Sequence, residues 1–160
     1  MSIEQKRQRF TPGAIVRIPF GDGYHTYGRL LVSPFIEVYD LETNEELSDL
    51  EAIVARPVLF TINVHKSAIT RSDWRIIGKL PYDEKNAVLP LQFWQDSSDP
   101  SKCKLKDRFD NFYPAKIEDC RGLERIACWE AHHVEERLRD HYSGKMDGIA
   151  SRLRVQEVED

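Results

Sequence analysis

Between Arg29 and Arg56 this chain has no lysine and no arginine, while Glu37, Asp40, Glu42, Glu45, Glu46, Asp49 and Glu51 all fall inside the gap. Other absences narrow the field further. Only three cysteines occur, Cys103, Cys120 and Cys128, and no two have the C-x-x-C spacing of a metal or redox site. They read as reduced, packed thiols of a cytosolic protein. No apolar run approaches the ~18–20 residues of a membrane span. The opening MSIEQKRQRF has charges but no apolar core, so no signal peptide and a cytoplasmic location are expected. Basic charge is also short: the net charge is −4, against the basic face that phosphate-backbone binding needs and compatible with a basic protein partner. No G-x-S-x-G or G-x-G-x-x-G occurs, and Gly21-Asp22-Gly23 is followed by no Gly-Lys-Ser/Thr, so neither a nucleophile elbow nor a phosphate loop is written here.

What is present is strand-rich. With 160 residues the chain suits one domain, set at residues 10–145, with 1–9 and 146–160 as flexible or peripheral tails. A run rich in β-branched residues, with Ile15, Ile18 and Phe20, leads into Gly21-Asp22-Gly23, which supplies the positive φ of a three-residue hairpin loop. Tyr24 to Val32 returns, with Tyr24, Thr26, Gly28, Leu30 and Val32 on one face and His25, Tyr27, Arg29 and Leu31 on the other. Gly28 fits a bulge or a close backbone crossing. Phe35 to Leu41 reads as a third strand. Thr43 and Glu46 match a capping box before Leu47, Leu50 and Val54, predicting a short helix. Val58–Val64 and Trp74–Leu80 alternate as half-buried strands, Leu89–Gln95 is a further strand, and Lys104–Phe112 is a charged edge hairpin around Asp110-Asn111. Periodicity then predicts a helix over Leu123–Tyr142, with Ala127, Ala131, Val134 and Leu138 as its buried stripe and Ser143-Gly144 as its C-cap. Strands grouped first and a long helix after them predict an α+β fold: a twisted antiparallel sheet or small, partly open β-barrel, with the C-terminal helix packed on it.

Two clusters could carry chemistry. On the helix, Glu130, His132, His133 and Glu135 lie close in sequence. Adjacent histidines point about 100° apart on a helix, so no metal site is expected, and Glu135 is the group placed to join His132. Cys128 and His132, four apart, lack the electropositive setting that a thiolate pair needs. The aromatics Tyr24, Tyr27, Phe35 and Tyr39 resemble a stacking platform, but half-buried strand aromatics more often form core, and nucleic acid is not the expected partner. The acidic segment is the stronger feature. Like charges crowded together cost stability through self-repulsion, which a docking role for a basic partner would explain as well as a plain solvated face does.

The residues also resemble a known family. Pro12-Gly13-x-Ile15-Val16-x-Ile18-Pro19, then Gly21-Asp22-Gly23-x-x-x-Tyr27-Gly28-Arg29-Leu30, resembles the opening of the Immunity protein 26 family. So do Pro57-Val58-Leu59-Phe60 with Val64-His65-Lys66, and Trp74-Arg75-Ile76-Ile77-Gly78-Lys79-Leu80-Pro81. The likeness runs over residues 11 to 95, and Gly122–Arg125 and Arg137-Leu138 are compatible with it. The resemblance implies a bacterial polymorphic-toxin system, in which such proteins bind a cognate toxin. It implies no catalytic residue, and neither cofactor nor metal is expected. Trp74 and Gly78 are then core residues. The expected contact set is Glu37, Asp40, Glu42, Glu45, Glu46 and Asp49, with Tyr39 as an aromatic centre and a basic toxin, such as a nuclease, as partner. Two other readings stay open: a small β-barrel module for nucleic acid or peptide, and an enzyme using His132, His133 and Glu135.

Overall fold

The computed structural model describes residues 7–145 and 148–158. The outer parts of the expected tails, 1–6, 146–147 and 159–160, lie outside the described residues. The founding hairpin joins β1 (Ala14–Gly21) to β2 (Tyr24–Leu30). Gly21 pairs with Tyr24, so the loop is Asp22-Gly23 alone, one residue shorter than expected. Both loop residues have positive φ, 56° and 80°, which gives the chain the twist that a two-residue hairpin needs. The surplus residue appears instead as a bulge between Pro19 and Gly21. Gly28 marks a close approach: a Cβ there would lie 2.9 Å from the Glu37 carbonyl oxygen on the neighbouring strand.

That neighbour is β3 (Phe35–Tyr39). After it come α1 (Leu50–Val54), β4 (Val58–Val64), the one-turn α2 (Ser67–Thr70) and β5 (Arg75–Lys79). Next are β6 (Gln92–Gln95), β7 (Cys103–Lys106), β8 (Phe112–Ala115) and the one-turn α3 (Ile117–Cys120). The chain closes with β9 (Glu124–Arg125), β10 (Cys128–Trp129), α4 (Ala131–Ser143) and α5 (Ile149–Arg152). The strands form two sheets, ordered β10-β4-β3-β2-β1-β5 and β8-β7-β6-β9. The fold is α+β, as expected, but the strands do not close into a barrel. Nor is either sheet wholly antiparallel: β10 runs parallel to β4, and β9 parallel to β6.

The first sheet is buried on both faces. Val16, Ile18, Leu30, Ile36, Val38 and Ile62 form one core with Trp74, Trp129 and the inner face of α4, where Val134 and Leu138 are fully buried. Ile15, Tyr27, Tyr39, Leu41 and Ile53 form the other, beneath α1. Trp74 is a core residue, as expected, and Leu50 packs over Gly78. Phe93, Cys103 and Cys120 centre a third cluster under the second sheet. Ile149 and Leu153 pack on the first core and Val155 on the third, so the described residues 148–158 fasten the sheets to each other.

Two helix boundaries differ from expectation. Thr43 does not cap a helix, because its backbone is taken: it bridges His25, with His25 N–H donating to its carbonyl at 2.8 Å and its own N–H donating back at 3.0 Å. Its hydroxyl accepts from Glu45 N–H, and the helix starts later, where the Asp49 carboxylate accepts from Ala52 N–H at 3.1 Å. The long helix starts at Ala131, not Leu123. The segment before it has helical spacing, but both sheets offered it an open edge: Glu124-Arg125 pairs with Gln92-Phe93 and Cys128-Trp129 with Asn63-Val64. Edge pairing outcompeted intrinsic propensity. Cys128 is therefore exposed, not packed as expected of the three thiols.

Candidate functional site

The acidic segment leaves the sheet at the end of β3 and crosses to α1, and its residues divide into anchored and free. Glu37 accepts a hydrogen bond from the Tyr39 hydroxyl at 2.7 Å. Tyr39 itself is fully buried, which corrects its expected role as the aromatic centre of an interface: strand alternation turns it inward beside Tyr27 and Ile15. Burial, and then its bond to Glu37, push its hydroxyl far above the ordinary tyrosine range. Asp40 accepts from the Tyr142 hydroxyl at 2.9 Å, which ties the segment to the end of α4. Glu46 sits 3.0 Å from the Arg17 guanidinium, a charge contact not aligned as a hydrogen bond. Glu42 and Glu45 are exposed and carry no side-chain hydrogen bond or ion pair with the described residues, whereas Asp49 uses one oxygen as the α1 cap.

Beneath this stretch a buried network fixes its course. His25 is 1% exposed, and its Nε2 lies 2.9 Å from the Glu45 carbonyl oxygen and 3.1 Å from the Tyr27 hydroxyl. Leu47 N–H donates to that same hydroxyl at 2.9 Å. Burial, and then the nearby Arg17, hold the imidazole below its ordinary value. The loop thus hangs from the sheet on His25 and Tyr27. Between loop and α1 lies a cavity of about 500 Å³. Leu41, Leu47 and Ile53 line it from the core side, and Glu45, Glu46 and Asp49 line it with charge. Arg56 is the one basic residue in its wall.

A larger hollow of about 600 Å³ lies where the two sheets meet, lined by Trp129, Arg125, Arg137 and Leu153 among others. Its inner arginines are already engaged. Arg137 binds both oxygens of Glu124, and Arg125 donates to the Leu153 and Arg154 carbonyls and to Gln95. It reads as a junction held by polar contacts.

One surface escaped the sequence reading. The register places Trp94, Lys104, Lys106, Phe112 and Pro114 on one face of the second sheet. Trp94, Phe109 and Phe112 are 39%, 69% and 51% exposed, more than apolar side chains of that size need be. The lysines of this face, Lys104 and Lys106, lie on β7, which is an interior strand and not the charged edge expected from the sequence.

The histidines also differ from expectation. The rings of His132 and His133 stand 4.0 Å apart instead of diverging. They sit at the first turn of α4. Glu135, the expected companion of His132, instead accepts from the indole of Trp74 at 3.3 Å.

The α+β scaffold thus hangs an acidic segment, part anchored and part free, over a hollow with an apolar floor. The chain belongs to the Immunity protein 26 family, whose model matches residues 11–104. That membership gives it an immunity-type role. No curated protein and no solved structure matches the chain. No helix among the described residues is long and apolar enough to cross a membrane.

Proposed function

We propose that this protein neutralises a cognate bacterial toxin in the cytoplasm by protein–protein contact, as the immunity member of a polymorphic-toxin system. The observation that carries the proposal, beside family membership, is the acid-lined cavity on the Leu41-Leu47-Ile53 floor. A lysine or arginine of the toxin entering it would lay its aliphatic stem on the floor and its charge against Glu45, Glu46 and Asp49. Glu42 and Asp40 extend the negative field and steer the approach. Glu37 and Tyr39 act from within, by holding the strand from which the segment departs. A nuclease toxin fits this charge, because its cleft must be basic to hold a phosphate backbone. A standard interface of about 800 Å² per partner would cover the segment and α1.

A second reading keeps the partner and moves the contact to the aromatic face around Trp94 and Phe112, whose residue types are those enriched at binding hot spots. One experiment decides. Binding to the product of the neighbouring toxin gene is measured for Glu45→Lys/Glu46→Lys/Asp49→Lys and for Trp94→Ala/Phe112→Ala. The first triple should cost at least about a hundredfold in affinity and lower the association rate. Unchanged binding there, with loss in the aromatic pair, transfers the site to the second sheet.

A further inference from the structure

The start of α4 gathers three metal-ligating side chains that the docking surface does not use. We propose that Glu130, His132 and His133 form a three-ligand site for a divalent transition-metal ion of the zinc class, open at a fourth position. Their donor atoms all lie within 4.8 Å of one another. Glu130 Oε2 and His132 Nδ1 are 3.5 Å apart. Ligands about 2.1 Å from a tetrahedral zinc stand ~3.4 Å from each other, so this pair already spans one edge of the coordination shell. The His133 donor atom lies within 4.8 Å of both, and reorienting its ring would bring it to a third position of the shell. Two imidazoles and one carboxylate form a donor set that suits zinc, cobalt or nickel, and not calcium or magnesium.

Other features fit a cation at this spot. Glu130 is the N-cap residue of α4, yet its side chain makes no capping bond; it turns to His132 instead. A helix N-terminus by itself disfavours a cation, by about 0.3–1 kcal/mol in exposed settings. Glu135 opposes that effect, since it lies close enough to His132 for their charges to interact. His132 and Glu130 keep 68% and 55% of their side-chain surface open, so an ion and a fourth ligand can reach them. The fourth ligand is water in the isolated protein.

The test uses the untagged, metal-stripped full chain, with Zn²⁺ titrated by calorimetry and Co²⁺ followed by the visible absorption of tetrahedral cobalt. One equivalent should bind in the micromolar range. His132→Ala, His133→Ala and Glu130→Gln should each weaken binding at least about tenfold. His141→Gln, at the far end of α4, should leave it unchanged. Circular dichroism checks that each variant is folded. Absence of saturable uptake overturns the proposal. So does uptake that survives His132→Ala with His133→Ala, or that falls equally with His141→Gln.

Discussion

The Arg137 guanidinium lies 3.9 Å from the centroid of the Phe60 ring and grips both carboxylate oxygens of Glu124. One side chain of α4 thereby holds a strand of the first sheet and a strand of the second. Both partners are largely shielded, at 14% and 28% side-chain exposure, so the pair works in a lower dielectric than a surface bridge. Arg137→Ala should lower unfolding stability by about 2–3 kcal/mol, less than the full cost of stranding a deeply buried charge. Arg137→Lys should restore under half of that, having neither the planar fork nor the flat face. Urea midpoints measure both. A loss below about 0.5 kcal/mol would place the pair among ordinary surface bridges.

His25 makes stability depend on pH. Its folded-state value is lowered from 6.5, so the unfolded chain takes up the proton first as acid is added. Its contribution is complete above pH 6.5 and declines as pH falls below that toward the folded value. Protonation would also place a buried N–H at Nδ1, which has no partner. The urea midpoint should therefore drop as pH falls below about 6.5, before ordinary carboxylates titrate. His25→Gln should flatten that part of the curve. An equal drop in the variant would assign the effect to other groups.

The Asp22-Gly23 turn gives a simpler prediction. Gly23 has φ of 80°, which an alanine adopts at a cost of roughly 1–2 kcal/mol. No heavy atom lies within 4 Å of a Cβ built there, so the cost is conformational and not steric. Gly23→Ala should lose that amount by thermal melting, and Gly23→Asn should lose less, because asparagine tolerates the left-handed region.

Thiol labelling tests the cysteine environments. Cys103 and Cys120 are buried and Cys128 is exposed. Burial, and then the neighbouring Cys103, push the Cys120 thiol up to about 11, so almost none of it is thiolate at neutral pH. A disulfide reagent should modify one thiol quickly in the native protein and the other two only after denaturation. Cys128→Ser should abolish the fast phase.

The first hairpin, β3, β4 and β5 were legible because each has a strong local signal: β-branched alternation and an Asp-Gly turn. The core role of Trp74 was implied instead by the family resemblance of its segment, and the structure buries it fully. What escaped depended on partners distant in sequence. Helical spacing before Ala131 concealed two short strands, since nothing local announces an edge waiting at Gln92 or Asn63. The inward turn of Tyr39 was implied by its place on β3, yet the charge around it drew attention outward. The Glu130-His132-His133 cluster was hidden by an ideal-helix argument that fails at this first turn. The carboxylate gap, by contrast, needed no structure to be seen; the structure added which of its members are free.

Glu124-Arg125 and Cys128-Trp129 pair with different sheets across two intervening residues. The span shared with the family ends at residue 104, before this stitch and before α4. A polypeptide cut there would unpair β4 at Asn63 and Val64 and expose the core that Trp129, Val134 and Leu138 otherwise wall off. Such an open, apolar edge recruits other chains. A truncation at the end of the family match is therefore expected to yield aggregates in place of a smaller domain.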